Sequence, residues 1–230
     1  TTSESKVKGD FDWSPDGKYI VYSRKSGPNR QGSKFNDLYL WDVKGKSDIR
    51  LTVDARLTTP AFSPDGSQIV AVHHADGTHN LSIITLPDEI PDDDNITELC
   101  EVNRLTSFMD GQQIYRPQFS HDGSQIYAAT ADLGPRDISA FDVETGAMTS
   151  LIESQADERG VTVSADGRSI HFASDRTGIF NLYRYDLTDG SLTPLTNVIG
   201  GAFMPDISSD GSLVYSEFED GGYKIRSINN

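Results

Sequence analysis

The residues best able to do chemistry in this chain come as a recurring set. Ser14-Pro15-Asp16-Gly17, Ser63-Pro64-Asp65-Gly66, Ser120-His121-Asp122-Gly123, Ser164-Ala165-Asp166-Gly167 and Ser209-Asp210-Gly211, the last preceded by Ser208, each set a hydroxyl close to a carboxylate. That pairing invites a nucleophile or an oxygen-ligated calcium ion. Repetition points elsewhere: a group present in five copies is a turn device, with Asp accepting backbone hydrogen bonds and Gly in the left-handed position. No Asp-x-Asp-x-Asp-Gly loop accompanies it, and Asp92-Asp93-Asp94-Asn95 is contiguous, which reads as a solvated loop.

Other candidate groups are few. His73, His74 and His79 fall within one inter-strand loop, where imidazoles could hold a divalent metal. No fourth ligand stands at a suitable spacing, so an exposed loop is expected and no metal or cofactor is assigned. His121 replaces a turn proline, and His171 takes a strand slot held elsewhere by Val21, Val70 and Tyr127. The lone Cys100 excludes an internal disulfide framework, has no histidine near it in sequence and is expected to be packed. There is no Gly-x-Ser-x-Gly elbow, no His-Glu-x-x-His motif and no phosphate loop, so no catalytic residue is assigned.

The elements that position these groups follow from the repeat. The aspartates at 16, 65, 122, 166 and 210 are spaced 49, 57, 44 and 44 residues apart, the period of propeller blades. After each Asp-Gly comes an alternating apolar stretch such as Tyr19–Tyr22 or Gln68–Ala71, which predicts a strand. A polar loop leads to another, such as Asp37–Val43, Asn80–Leu86, Asp137–Val143 or Asn181–Leu187, and a turn returns the chain into a shorter one ending in Leu51-Thr52, Leu105-Thr106 or Leu195-Thr196. The segment before each Ser-x-Asp-Gly is the first strand. The expected fold is therefore all-β, a β-propeller of four-stranded antiparallel blades with five repeats, at about residues 9–54, 58–107, 115–153, 159–198 and 203–230. An insert from Pro87 to Leu99 lengthens the second blade.

In such a blade the loops joining strands two and three share a face with those that lead into each first strand. That face carries nine of the 20 basic residues, whereas the opposite face carries the Asp-Gly turns and the acidic insert, so a dipolar disc is expected. Arg116 and Arg159 stand beside first strands, and Arg136 and Arg176 lie in the same loop set. Arginine forks match carboxylates, so these four, with Tyr115 and Met204 as apolar floor, are the candidate ligand-binding residues for a carboxylate or an acidic peptide segment. Pairing with neighbours such as Asp157, Glu158 and Asp175 is the stronger reading for any one arginine taken singly. Phe203 is expected to pack between blades.

Composition agrees with a binding module of limited partner classes. The chain has 230 residues, 36% of them hydrophobic, enough to bury a core. Its net charge of −15 argues against nucleic acid or an anionic membrane as partner. No apolar run approaches the ~20 residues of a spanning helix, and no signal-peptide pattern opens the chain. It begins Thr1-Thr2, which reads as a processed or excised part of a longer protein.

These repeats resemble the PD40, or WD40-like, repeats of TolB-type propellers, with Ser174-Asp175-Arg176-Thr177-Gly178-Ile179-Phe180-Asn181-Leu182-Tyr183 and the closing Leu195-Thr196 as the nearest match. The resemblance spans about Phe11 to Ile228. It implies an extracytoplasmic protein of the bacterial periplasm or envelope with a protein or peptide partner, and no enzymatic activity of its own. Similar propellers are also fused to serine peptidases of the prolyl oligopeptidase and tricorn kinds, which implies the alternative of a gating or substrate-filtering domain. TolB-type rings have six repeats where this chain has five, and the fifth ends before a fourth strand. Further repeats, or a strand from Ser5-Lys6-Val7-Lys8, are the two expected ways to complete it.

Overall fold

The structure, a computed structural model, describes residues 10–208 and 210–229, so the Ser5–Lys8 segment lies outside the described residues. Nineteen strands and no helix are found among them. The first blade is β1 (Phe11–Trp13), β2 (Tyr19–Lys25), β3 (Asn36–Asp42) and β4 (Ser47–Arg50). The second is β5 (Leu57–Phe62), β6 (Gln68–Ala75), β7 (Thr78–Thr85) and β8 (Glu101–Arg104). The third is β9 (Gln113–Phe119), β10 (Gln125–Ala131), β11 (Asp137–Asp142) and β12 (Met148–Ile152). The fourth is β13 (Glu158–Val163), β14 (Ser169–Ser174), β15 (Asn181–Asp186) and β16 (Leu192–Pro194). β17 (Ala202–Ile207), β18 (Leu213–Glu219) and β19 (Gly222–Ile228) form the fifth, which has three strands among the described residues. Every sheet is an antiparallel meander in chain order, which makes the fold a β-propeller. Two compact units, residues 1–117 and 118–230, divide the chain inside β9.

The Ser-x-Asp-Gly turn is built the same way in the first four blades. The Ser14 hydroxyl donates to Asp16 Oδ1 at 2.7 Å and accepts from Tyr19 N–H at 2.9 Å, while Asp16 Oδ1 also accepts Lys18 N–H. Gly17 takes φ +69° to let the chain reverse. In the fifth copy the hydroxyl is that of Ser208, 2.5 Å from Asp210 Oδ1. These serine hydroxyls, the first cause at Asp122 and Asp210, hold both carboxyls down to about 2. One carboxylate oxygen of each aspartate is thus spent on its turn.

Packing alternates by face. In the first unit, Val21, Leu38 and Leu40 of the first blade are buried against Leu57, Ile69, Ala71 and Ile84 of the second. In the second unit, Ala173 and Leu182 of the fourth blade are buried against Ala202, Leu213 and Tyr215 of the fifth. The strand period of two puts Val21, Leu38 and Leu40 on one face and Ile20 and Tyr22 on the other, so the first blade meets the second, and the fourth the fifth, through one face only.

The fourth strands are short and are tied down by side chains. Asn80 Oδ1, at the start of β7, accepts Thr106 Oγ1–H at 3.0 Å and Phe108 N–H at 2.7 Å, and Thr106 Oγ1 accepts Leu81 N–H at 2.9 Å. Asn181, Thr196, Val198 and Leu182 repeat this arrangement in the fourth blade. Asp37 does the same in the first, accepting Ala55 N–H at 2.9 Å, with Thr52 Oγ1 accepting Leu38 N–H. Its other oxygen takes Arg50 Nη2 at 2.6 Å and the Ser26 hydroxyl. In the fifth blade the register puts Lys224 where these Asx residues stand, and its Nζ pairs with Glu219 and Asp220.

Asp92–Asn95 stay exposed, as the sequence leads one to expect, while the insert is held at its base: Asp94 C=O accepts Arg50 N–H, Ile96 N–H donates to Arg50 C=O, and Ile96 is buried in the first unit's core. An apolar residue within an acidic loop anchors it along the outer edge of β4. Cys100 packs beside the same core, where burial raises its thiol to about 11.

Asn80→Ala would leave Thr106 and Phe108 N–H without their acceptor in a buried setting, a cost of about 2 kcal/mol. The urea midpoint is expected to fall accordingly with an unchanged slope, measured by tyrosine fluorescence.

Candidate functional site

Every innermost strand but the first carries a residue in the left-handed region, four positions before its turn serine. These are Thr59 (φ +48°), Arg116 (φ +47°), Gly160 (φ +65°) and Met204 (φ +53°). Bulges in β5, β13 and β17 fall at the same place. Only glycine adopts this conformation without strain, and for a β-branched threonine it costs on the order of 1–3 kcal/mol. Thr59 Oγ1 is moreover buried with no hydrogen-bond partner among the described residues. Sequence reasoning singled out Arg116 and Met204 for their side chains and missed that they share one backbone position. The fixed offset from the turn serine was the available signal.

In the first unit, Tyr115 stands edge-on to His79 with ring centroids 5.9 Å apart, and Arg116 Nε lies 3.5 Å from Asp10 Oδ1. The three clustered histidines do not occupy a loop, contrary to the sequence expectation. His73 and His74 lie in β6 and His79 in β7, joined by the two-residue turn Asp76-Gly77, both with positive φ. His74 Nε2 is 2.5 Å from Thr58 Oγ1, and His79 Nδ1 is 3.0 Å from Ile114 C=O. No group of three or more His, Cys, Asp or Glu among the described residues is placed to hold a metal ion. Burial, then the neighbouring imidazoles, lowers His74 to about 4.

A cleft of about 590 Å³ opens on the turn side of the first unit. Tyr19, Phe62, Leu86 and Ile90 supply its apolar wall, and Asp16, Asp65, Asp88 and Glu89 its acidic rim.

In the second unit Arg136, Arg159 and Arg176 share one acidic network. Asp157 Oδ2 receives Arg159 through Nε at 2.8 Å and Nη2 at 2.5 Å, while its Oδ1 faces Arg136 Nε at 3.3 Å. Asp157 N–H is held in turn by Asp175 Oδ1 at 2.8 Å. Arg176 Nη2 donates to Glu158 Oε1 at 2.7 Å and its plane lies over Tyr183 at 4.7 Å. Glu158 is fully buried, and its Oε2 has no hydrogen-bond partner among the described residues. By its offset from the turn serine it occupies the slot of Leu57, Ile114 and Ala202. A carboxylate in an apolar slot needs its cation.

Beside this network lies an aromatic surface. The Arg159 guanidinium stands 4.5 Å over Phe180, whose ring is 5.1 Å from Phe203, and Phe203 in turn meets Tyr223 at 6.2 Å. A Cβ on Gly201 would fall 2.6 Å from the Phe203 ring, and one on Gly200 would fall 1.8 Å from the Phe218 carbonyl. This glycine pair lets the loop pass under the rings and sets the angle of Phe203. Met204 follows with its side chain 60% exposed, and Gly160, next to Arg159, lies beneath it without a side chain to obstruct it. Phe203 thus packs between the fourth and fifth blades. Arg159, Phe180, Phe203 and Met204 come together, whereas Arg136 and Arg176 are turned to their acids, and Tyr115 and Arg116 belong to the first unit. Phe180 went unnoticed in the sequence because it precedes a strand in a loop that reads as turn.

Meander sheets joined by Asp-Gly turns define a β-propeller, a fold shared with solved structures of TolB and of a puromycin hydrolase. No protein-family model matches the chain. An uncharacterised protein of Agrobacterium fabrum is 26% identical over 209 residues, covering 88% of this chain, which spans 62% of that relative's length. An Agrobacterium tumefaciens structure assigned as TolB superposes with a TM-score of 0.76 at 20% identity, over 97% of this chain and 76% of that one. A puromycin hydrolase superposes with a TM-score of 0.74 at 17% identity, over 96% of this chain and 35% of the hydrolase.

Arg176→Met would strand the buried Glu158 carboxylate and is expected to cost about 3 kcal/mol, whereas Glu158→Leu with Arg176→Met recovers most of that loss, both read by urea unfolding. A second expectation concerns pH. Burial, with the Arg184 charge second, lowers His171 to about 4, as burial lowers His74. The unfolded chain binds both protons below about 6.5 and the folded chain resists until about 4, so stability present above pH 6.5 is lost as pH falls through that window. About two protons should be taken up on unfolding near pH 5, and about one in His171→Val, from the pH dependence of the urea midpoint.

Proposed function

We propose that this chain is a non-enzymatic binding module that holds a protein or peptide partner at the arginine-bearing loop face, working outside the cytoplasm. The observation that carries this reading is the Arg159 guanidinium stacked on Phe180, next to Phe203 and the exposed Met204. Side chains that combine a carboxylate-matching fork with exposed apolar area suit an acidic or C-terminal peptide segment, and aromatic and arginine residues dominate binding energy at such surfaces. Asp157 keeps the fork oriented when the site is empty, so a ligand carboxylate joins a bridge already formed. Binding would then be modest in strength. The likeness to a TolB structure supports a module whose partner is a protein.

A second reading rests on the puromycin hydrolase likeness, in which a chain of this length covers only about a third of the enzyme. Under it the same face filters substrate for a catalytic domain elsewhere in a longer protein, and an α/β-hydrolase motif in the flanking gene sequence would decide in its favour.

Fluorescence polarisation with paired peptides of identical apolar sequence, one ending in a free carboxylate and one amidated, tests the first reading. The free acid is expected to bind about tenfold more tightly, a difference of about 1.4 kcal/mol. Arg159→Glu should erase that difference with an unchanged circular dichroism spectrum. An Arg159→Glu variant that still prefers the free acid would overturn the site.

A further inference from the structure

Two clefts of the first unit meet at Tyr19 and Ile90. The cleft of about 590 Å³ on the turn side has a neighbour of about 740 Å³, and Lys18, Tyr19 and Ile90 line both. Ile49 and Pro91 continue the apolar wall into the second cleft, and Asp42, Asp92, Asp93 and Asp94 continue the acidic rim. Eight carboxylates and only two cationic side chains, Lys18 and Lys44, therefore line one groove. Every residue of it belongs to the first two blades and to the first unit.

The insert supplies one wall of this groove and is built to stay in place. Ile96 is buried in the core, the Arg50 backbone holds Asp94 and Ile96, and Pro87 and Pro91 restrict the chain between. Fixing so many carboxylates together costs repulsion, and Asp88, Glu89, Asp92 and Asp94 have no ion pair with a described residue. A loop that only connects two strands gains nothing from that repulsion. Lys18 shows what relieves it: its Nζ stands 2.8 Å from Asp16 Oδ2 on a side chain 71% exposed, an ammonium held at the rim. Burial, then the Asp42 carboxylate, pushes the Tyr19 hydroxyl up, so Tyr19 remains a neutral ring with a donor at its tip.

We propose that this groove is a docking site for a basic peptide segment of a partner protein, with an apolar side chain against Tyr19 and Ile90 and lysine or arginine side chains on either side of it meeting the two acidic rims. Charge complementarity selects this occupant. A neutral or anionic segment would cover the carboxylates without supplying cations, which is costly, and a metal ion would leave the apolar wall uncovered. The site is independent of the arginine-bearing loop face and has the opposite sign. Each exposed ion pair contributes little, so several pairs and the apolar contact must act together, and the dissociation constant is on the order of 10 μM. Binding through exposed charges is screened by salt.

Fluorescence polarisation of the whole chain with three acetylated, amidated pentapeptides bearing a neutral dye is the test, and none of them carries a carboxylate to engage Arg159. Lys-Phe-Lys-Phe-Lys is expected to bind, and Lys-Ser-Lys-Ser-Lys and Ser-Phe-Ser-Phe-Ser about tenfold more weakly or worse. Asp88→Asn with Glu89→Gln, and Asp92→Asn with Asp94→Asn, should each weaken the first peptide about fivefold. Asp132→Asn with Glu144→Gln removes the same charge from exposed positions of the second unit and should leave its binding unchanged, as should Arg159→Glu, so failure of either site leaves the other standing. Circular dichroism checks the fold of each variant. A first peptide that does not bind at about 500 μM protein overturns the proposal. Equal weakening by the second-unit variant overturns it in favour of general attraction to an acidic chain, and equal binding of the serine-spaced basic peptide in favour of a site for any polycation. Displacement by calcium at about 1 mM, but not by sodium at the same ionic strength, overturns it in favour of a metal-ion site.

Discussion

The contact on which the rest of the structure depends is the one between an Asx side chain near the start of the third strand and the Leu-Thr pair that ends the blade, made in the first, second and fourth blades. Fourth strands of three to five residues cannot hold themselves by ladder hydrogen bonds alone. The Asn80 carbonyl takes Thr106 and Phe108, Asn181 takes Thr196 and Val198, and Asp37 takes Ala55. Each fastens the chain where it leaves one blade for the next, and the threonine oxygen passes the bond back to the third strand. Donors left over where the ladder ends are thereby satisfied inside the protein, where an unmet one would be costly. The blade-to-blade crossing is then a defined geometry, and the faces of successive sheets meet in register.

Loop geometry at the arginine face follows from that register. In the last four blades the residue four before the turn serine takes the left-handed conformation whatever its identity, and in β5, β13 and β17 it falls at a bulge. Thr59, Arg116 and Met204 accept a strained conformation there that Gly160 adopts freely. The same constraint brings Phe180 of one blade against Phe203 of the next and Arg159 over both the ring and Asp157. Charge pairing and aromatic stacking therefore share one guanidinium. Glu158 and Arg176 make a second device in the same blade, a buried ion pair where neighbouring blades are apolar, which contributes to orientation more than to net stability.

The fifth blade departs from its siblings at one residue with wide effect. Lys224 stands where the other blades carry an Asx, and among the described residues the strand's charged side chains satisfy one another across the sheet.

By itself the sequence determined the class of fold, because the turn motif and the strand alternation are local: Ser, Asp and Gly close a turn with neighbours two to five residues away, and period-two hydrophobicity needs no distant partner. The five-fold repeat, the three-stranded last blade and the arginine-rich loops were all legible for that reason. Which arginine meets which acid, what anchors the acidic insert, and where the histidines sit were decided only in the tertiary structure. Arg50 and Ile96 meet across 46 residues of sequence, His79 and Ile114 across 35, and Asp37 and Ala55 across 18. Such contacts are set by how strands and loops pack, and a composition that correctly marks Asp92–Asp94 as exposed carries no record of the one isoleucine, Ile96, that buries itself and pins the base of the loop.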